Sequence, residues 1–202
     1  MPKVPTRIMP AFTDDQALRL LHGIDRKTNV GLRNYAMILL LLDTGIRVSE
    51  LVGLEMQDLH IHEGFFKVWG KGGKERIVPL GLTTQKVVWK YIRKHRSEPQ
   101  LPTLDKVFLS RSGLPISTQW VYKIMARASR KAGIRGVRAG PHTCRHTFAR
   151  NFLANGGGLL TLQGILGHSS LEVVKLYVHL RTDDLVLQQR RYSPVDAMRL
   201  GT

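Results

Sequence analysis

Two histidines and an arginine stand together in the segment Pro141-His142-Thr143-Cys144-Arg145-His146. If Pro141 opens a helix, His142 and Arg145 lie three positions apart on one face, and His146 lies one position further around. Free backbone N–H groups and the helix dipole reinforce a pair of this kind near a helix N-terminus. The segment can therefore hold an oxyanion, although the same side chains would also suit an ordinary basic surface.

A further histidine and a tyrosine follow in the last quarter of the chain. In Leu166-Gly167-His168-Ser169-Ser170 the glycine ends one helix and a serine caps the next, so that His168 is held in the turn. Tyr177 comes nine residues later, towards the end of the following helix. A phenol with an ordinary pKa of about 10 becomes a nucleophile near neutral pH only with help from cations or a base. The alternative is a core tyrosine whose hydroxyl group is hydrogen-bonded.

Two cations lie upstream at positions that the backbone should fix. Arg47 follows Gly45, which is expected to cap a buried helix, and Glu50 three residues later can orient the Arg47 side chain. Lys71 occupies the tip of the glycine-rich turn 70–73, where a long amine can reach a ligand. A lysine there could also serve only to keep the turn soluble.

Fixed arginines suit phosphoryl transfer, because the charge that builds on the equatorial oxygens needs positioned donors. Arginines can supply the stabilisation that Mg²⁺ supplies elsewhere, so we expect no metal. His142 and His146 also lack the adjacent glutamate of a zinc motif, and the 70–74 turn lacks the spacing and hydroxyl residue of a phosphate loop. The sequence therefore predicts no metal and no cofactor.

The charge balance points to a polyanionic partner. The 202 residues include 31 Lys and Arg against 15 Asp and Glu, a net charge of +16, and residues 106–171 hold ten Lys or Arg and no acid. Cations that neutralise phosphates release counterions, so this distribution favours a nucleic acid. A membrane is the competing partner, but no basic amphipathic helix with an aromatic face is evident. The single cysteine, Cys144, excludes a disulfide framework and suits a reducing compartment, which we expect to be the cytoplasm.

The hydrophobic pattern predicts an α+β fold that is mainly helical, with a small three-stranded antiparallel sheet. A capping box at Thr13 and Gln16 opens the first helix, and Gly45 closes a buried one. The sheet is expected as a hairpin around Glu63-Gly64, with Ile61 in its first strand, and as a third strand at 76–78. The remaining helices are predicted at 48–54, 84–96, 117–131, 141–155, 159–166, 170–180 and 182–191.

Taken together, these segments resemble the catalytic domain of the tyrosine recombinases, the lambda-integrase and Xer-type family. The resemblance covers residues 12–180, and the steps of 24, 3, 23 and 9 residues that separate the cations, histidines and tyrosine agree with the family order. The matching segments are Thr44-Gly45-Ile46-Arg47-Val48-Ser49-Glu50-Leu51, Gly70-Lys71-Gly72-Gly73-Lys74-Glu75-Arg76 with Val78-Pro79-Leu80, His142-Thr143-Cys144-Arg145-His146, Leu166-Gly167-His168-Ser169 and Tyr177-Val178-His179. Cys144 and Ile46 depart from the usual leucines at what should be packing positions.

The resemblance implies a role for each matched residue in site-specific DNA recombination. Tyr177 would be the nucleophile that leaves a 3′-phosphotyrosine, and Lys71 would protonate the departing 5′ oxygen. His142 would serve as the general base or proton partner for Tyr177, while Glu50 would support the site. The two non-bridging oxygens would be gripped by Arg47 and Arg145, with His168 hydrogen-bonded to one of them.

The resemblance also implies a domain plan and partners. We expect a linker remnant at 1–11, a catalytic domain at 12–181 and a docking tail at 182–202. The partners would be double-stranded DNA and other copies of the chain in a tetrameric synapse that exchanges tails. Family members normally carry a helical core-binding domain before the catalytic domain, so we expect the chain to be a fragment rather than a short one-domain invertase. Two alternative functions are a type IB topoisomerase and a non-catalytic nucleic-acid-binding module.

Overall fold

The computed structural model describes residues 10–69 and 75–167. Within these residues the chain forms a mainly helical fold with one small antiparallel sheet, which confirms the predicted α+β class. The helices are α1 (Asp14–His22), α2 (Asn29–Thr44), α3 (Val48–Gly53), α4 (Leu82–Lys94), α5 (Thr118–Lys131), α6 (Pro141–Ala154) and α7 (Leu159–Leu166), and the strands are β1 (Leu59–His60), β2 (Phe65–Trp69) and β3 (Glu75–Pro79).

Helix α2 runs through the core and packs against α1, α4 and α6. Most of its residues are buried, which explains the nearly continuous apolar sequence that predicted it. The apolar run 35–42 predicts the middle of this helix. The helix starts six residues before that run, at Asn29, because the hydroxyl group of Thr28 caps it by accepting a hydrogen bond from the N–H of Gly31. Its end is at the predicted place, since Gly45 adopts a left-handed conformation with φ of 62°.

The sheet has the order β1-β2-β3, and both pairs are antiparallel. Phe66 and Val78 are register partners on the buried face of the sheet, whereas Trp69 and Ile77 are exposed on the other face. The hairpin around Glu63-Gly64 is confirmed. The placement of Ile61 in its first strand is wrong, because β1 ends at His60 and Ile61 is buried within the connecting turn.

The other predicted helices lie within two residues of the observed bounds wherever the structure describes them. The capping box of α1 is present, with Thr13 Oγ1 accepting from the Gln16 N–H at 3.1 Å and Gln16 Oε1 accepting from the Thr13 N–H at 3.0 Å. Helix α6 begins at Pro141, as its fixed φ favours. The glycine-rich turn and the helices predicted at 170–180 and 182–191 lie outside the described residues.

Candidate active site

Arg47 is held at the start of α3 by a carboxylate. The Arg47 N–H donates to Glu50 Oε2 at 2.8 Å, and Arg47 Nη1 donates to Glu50 Oε1 at 3.1 Å. The Glu50 side chain is 5% exposed, whereas that of Arg47 is 42% exposed. The backbone of Arg47 and one nitrogen of its guanidinium group are therefore held in place, while the rest of the side chain is accessible to solvent or a ligand. This confirms that Glu50 orients Arg47.

Arg76 on β3 binds the same carboxylate from the other side. Its Nη1 donates to Glu50 Oε1 at 2.7 Å and its Nη2 to Glu50 Oε2 at 2.8 Å, a two-pronged pair. Burial by itself raises the pKa of Glu50, but the hydrogen bonds and charges of Arg76 and Arg47 outweigh burial and hold the pKa below its ordinary value. Glu50 is therefore a stable anion beside the two arginines.

Arg145 lies on α6 and is buried, with 7% of the residue exposed. Its Nη1 donates to the carbonyl of Gly45 at 2.7 Å, and its Nη2 donates to the carbonyl of Leu166 at 2.8 Å. These carbonyls stand at the C-terminal ends of α2 and α7, where the helix dipole favours a cation. One guanidinium thus joins the segment that precedes Arg47 to the end of α7.

The two histidines of α6 differ in their surroundings. His142 is exposed in the first turn, while His146 is half-buried. Burial, followed by the charges of His142 and Arg145, lowers the pKa of His146 below its ordinary value. His146 is therefore harder to protonate than an ordinary histidine, whereas His142 is accessible at the surface of the helix. Cys144 and Ile46 are both buried, which confirms them as packing positions.

Hydrogen bonds therefore bring Arg47, Glu50 and Arg145 together around Gly45, and His142 lies one helical turn from Arg145 on α6. The other predicted site residues, Lys71, His168 and Tyr177, lie outside the described residues.

Arg76 is a site residue that sequence reasoning did not single out. It pairs across the sheet with Val68 on the core-facing side, where the strand pattern calls for an apolar residue. A charged side chain at an inward strand position was the signal that could have found it, since such a charge needs a partner.

No group of three or more His, Cys, Asp or Glu side chains in residues 10–69 and 75–167 is arranged to hold a metal ion. In the same part of the chain, every helix is too short or too polar to cross a lipid bilayer.

The sequence matches the phage integrase family over residues 10–183. Among curated proteins it is 39% identical to the tyrosine recombinase XerD of Listeria monocytogenes serotype 4b over 192 residues, which cover 93% of this chain and 64% of that protein. It is 36% identical to the XerD of Staphylococcus epidermidis over 196 residues, which cover 96% of this chain and 65% of that protein. The chain thus spans slightly less than two thirds of the length of these relatives.

Two solved structures have a similar fold. The XerA recombinase aligns with a TM-score of 0.74 at 30% identity, over 96% of this chain and 67% of XerA. The XerH site-specific recombinase, solved bound to its difH substrate, aligns with a TM-score of 0.77 at 25% identity, over 90% of this chain and 54% of XerH.

Proposed function

Because this chain belongs to the phage integrase family, we propose that it cuts and rejoins duplex DNA at specific sites through a 3′-phosphotyrosine intermediate. The observation that supports this most directly is the arrangement of Arg47 and Arg145. Glu50 anchors Arg47 and leaves part of its side chain exposed, and Arg145 is anchored to the carbonyl of Gly45, two residues before Arg47. Two guanidinium groups fixed to one short segment suit a single phosphate group.

In the proposed reaction the Tyr177 hydroxyl oxygen attacks the scissile phosphorus as the bond to the 5′ oxygen breaks. The phenol proton goes to His142, and Lys71 gives a proton to the departing 5′ oxygen. The products are a 3′-phosphotyrosine and a free 5′-hydroxyl. Attack by the 5′-hydroxyl of another strand reverses these steps and completes the exchange, so one phosphodiester replaces another without an external energy source.

Arg47, Arg145 and His168 would contact the non-bridging oxygens in this reaction. Positioned donors contribute most when they need no rearrangement as charge develops, and the loss of one typically costs about 10²–10³-fold in rate. Glu50 supplies such positioning for Arg47 through two hydrogen bonds.

Helix α5 and its flanks suit the DNA contacts that the reaction requires. Its exposed residues include the cations Lys123, Arg127 and Arg130 and the aromatic Trp120, and the helix packs against α3, which begins beside Arg47. Phosphate contacts of this kind depend on counterion release. We therefore expect DNA affinity to fall linearly with salt on a log–log plot, and a flat plot would contradict phosphate binding.

A trapped covalent adduct tests the proposed chemistry. The probe is a pool of duplexes with a randomised core and a nick just beyond it, so that the short 5′-hydroxyl fragment released by cleavage diffuses away. A 5′ label on the cut strand should remain with the protein on a denaturing gel. Tyr177→Phe should abolish the adduct, and Tyr122→Phe, which changes an exposed tyrosine of α5, should retain it.

The same assay separates this function from its alternatives. Absence of an adduct, with DNA binding retained, would support a non-catalytic binding module. An adduct accompanied by relaxation of supercoiled plasmid, without strand exchange between two duplexes, would support a topoisomerase. An adduct that persists in Tyr177→Phe would show that the nucleophile is a different residue.

The segment 182–202 would act in assembly rather than in chemistry. We propose that it docks on a neighbouring copy in a tetrameric synapse, with 12–181 as the catalytic domain and 1–11 as a linker. Deleting 182–202 should then weaken formation of multi-subunit DNA complexes in native gels while leaving the single-subunit complex intact. Equal assembly by the two forms would contradict this role.

A further inference from the structure

We propose that Arg76 is a positioning residue for strand cleavage, which acts by holding Glu50 against Arg47 and by fixing the end of α7 beside them. This inference rests on the proposed function and adds a residue to it. Arg76 itself would touch neither the DNA nor the reacting atoms.

The Arg76 guanidinium uses all three of its nitrogens at this site. Nη1 and Nη2 donate to the two oxygens of Glu50, and Nε donates to the carbonyl of Ile165 at 2.8 Å. The side chain is 13% exposed, and its acceptors lie on α3 and α7, far apart in the chain. A planar group with fixed donor directions determines the relative placement of both acceptors.

Gly167 shows how closely the end of α7 approaches this arginine. Its φ is 65°, and a Cβ atom at this position would lie 2.9 Å from Arg76 Nε and 3.0 Å from Arg76 Cδ. The backbone therefore passes directly against the guanidinium. This contact restrains the backbone of Gly167, which directly precedes the proposed catalytic residue His168 in the sequence.

Stability alone does not account for an arginine at this position. Arg76 faces the core side of the sheet opposite Val68, where an apolar side chain would satisfy the strand pattern. A buried ion pair is often no more stabilising than a well-packed apolar replacement, since both charges must leave water. The ion pair instead restricts the orientation of the Glu50 carboxylate. In that orientation Glu50 also binds Arg47.

Two described segments that are distant in the sequence consequently meet at the Arg76 side chain, namely the start of α3 beside Arg47 and the end of α7. Lys71 precedes Arg76 by five positions and His168 follows the last residue of α7 by two, so two further proposed catalytic residues are close to these segments in the sequence. Loss of Arg76 should leave DNA binding intact and slow the chemical step, because misplacement by about 1 Å can cost about 10²-fold in rate.

The test compares Arg76→Gln and Arg76→Lys with the wild type in single-turnover adduct formation, using the nicked DNA pool described above. The matched control is Arg19→Gln, which breaks an exposed ion pair with Asp15 on α1. We expect Arg76→Gln to react about 10²-fold more slowly with DNA affinity within about threefold of wild type. Arg76→Lys, which keeps the charge, should recover part of the rate, and Arg19→Gln should match the wild type.

A modified substrate distinguishes positioning of Arg47 from a general structural role. The substrate here is one duplex recovered from the pool whose cleavage point has been mapped. Replacing one non-bridging oxygen of its scissile phosphate with methyl, in each stereoisomer, removes the charge that Arg47 would counter. The difference between Arg76→Gln and wild type should then shrink to within about tenfold, because less charge needs stabilisation. A purely structural defect would slow both substrates equally, and that result would overturn the proposal.

The remaining outcomes are also decisive. If the wild type forms the adduct and Arg76→Gln forms it at the same rate, the role of Arg76 is wrong while the proposed function stands. If the wild type forms no adduct, the proposed function itself fails. If neither Arg76 variant folds by circular dichroism, Arg76 serves folding and the positioning role is refuted.

Discussion

Replacing Arg145 with lysine tests whether one guanidinium joins two distant parts of the site. Arg145 donates to the carbonyl of Gly45, which is 100 residues away in the sequence, and to that of Leu166. A lysine ammonium is a point donor on a flexible stem and cannot reproduce the fork that serves both acceptors. At least one carbonyl should therefore lose its charged partner within a buried site. We expect the free energy of unfolding to fall by about 2–4 kcal/mol.

Urea denaturation followed by circular dichroism measures this loss. Arg127→Lys is the matched control, because Arg127 is exposed on α5 and the substitution is chemically the same. Surface substitutions usually change stability by no more than about 0.5 kcal/mol. If Arg145→Lys and Arg127→Lys differ by less than that amount, the two carbonyl contacts contribute little, and the reasoning about Arg145 is refuted.

Three further predictions concern other parts of the site and core. Burial raises the pKa of Glu50, but its two arginine partners lower this pKa by more, so the net shift is downward. The stabilisation that Glu50 contributes is therefore present above its ordinary pKa of about 4.3 and is lost as the pH falls. The urea-measured difference between wild type and Glu50→Gln should thus shrink below that pH, and a constant difference would contradict it. Gly45→Ala should lower the free energy of unfolding by about 1–3 kcal/mol more than Gly133→Ala. Both glycines have a φ of +62°, but only a Cβ atom at position 45 would clash with a neighbour, the ring of Phe148 at 2.5 Å. Equal melting temperatures for the two variants would contradict this prediction. Burial raises the pKa of the Cys144 thiol, so an aromatic disulfide reagent at about pH 8 should label it only after unfolding; labelling of the folded protein at the unfolded rate would contradict this.

Much of the fold could be predicted from the sequence because its signals are local. The hydroxyl of Thr13, the left-handed conformation of Gly45 and the fixed φ of Pro141 each act within one turn of a helix end. The pairing of Glu50 with Arg47 is equally local, since Arg47 directly precedes α3 and Glu50 lies in its first turn, three positions later. Such features need no knowledge of the rest of the molecule.

The rest of the site depends on contacts between distant residues, which periodicity does not report. Arg76 reaches the carbonyl of Ile165 across 89 positions of sequence, and no spacing rule links a strand residue to a helix end so far away. The i, i+3 spacing predicts that His142 and Arg145 share one face of a helix. It does not predict that Arg145 is buried while His142 is exposed, because Arg145 lies against the distant ends of α2 and α7, whose carbonyls it binds. Ile61 is a smaller example, since an apolar residue buried in a turn has the same pattern as one in a strand.

The end of α7 shows how two long-range contacts together determine the position of one segment. Arg76 binds the carbonyl of Ile165, and Arg145 binds that of Leu166, so two cations occupy the negative end of the same helix dipole. Each cation also binds the Arg47 segment, Arg76 through Glu50 and Arg145 through Gly45. Helix α7 is held by its apolar packing against β3 and α6, and two hydrogen bonds at successive carbonyls restrain its last turn further. The same two arginines therefore help to position both the end of α7 and the start of α3.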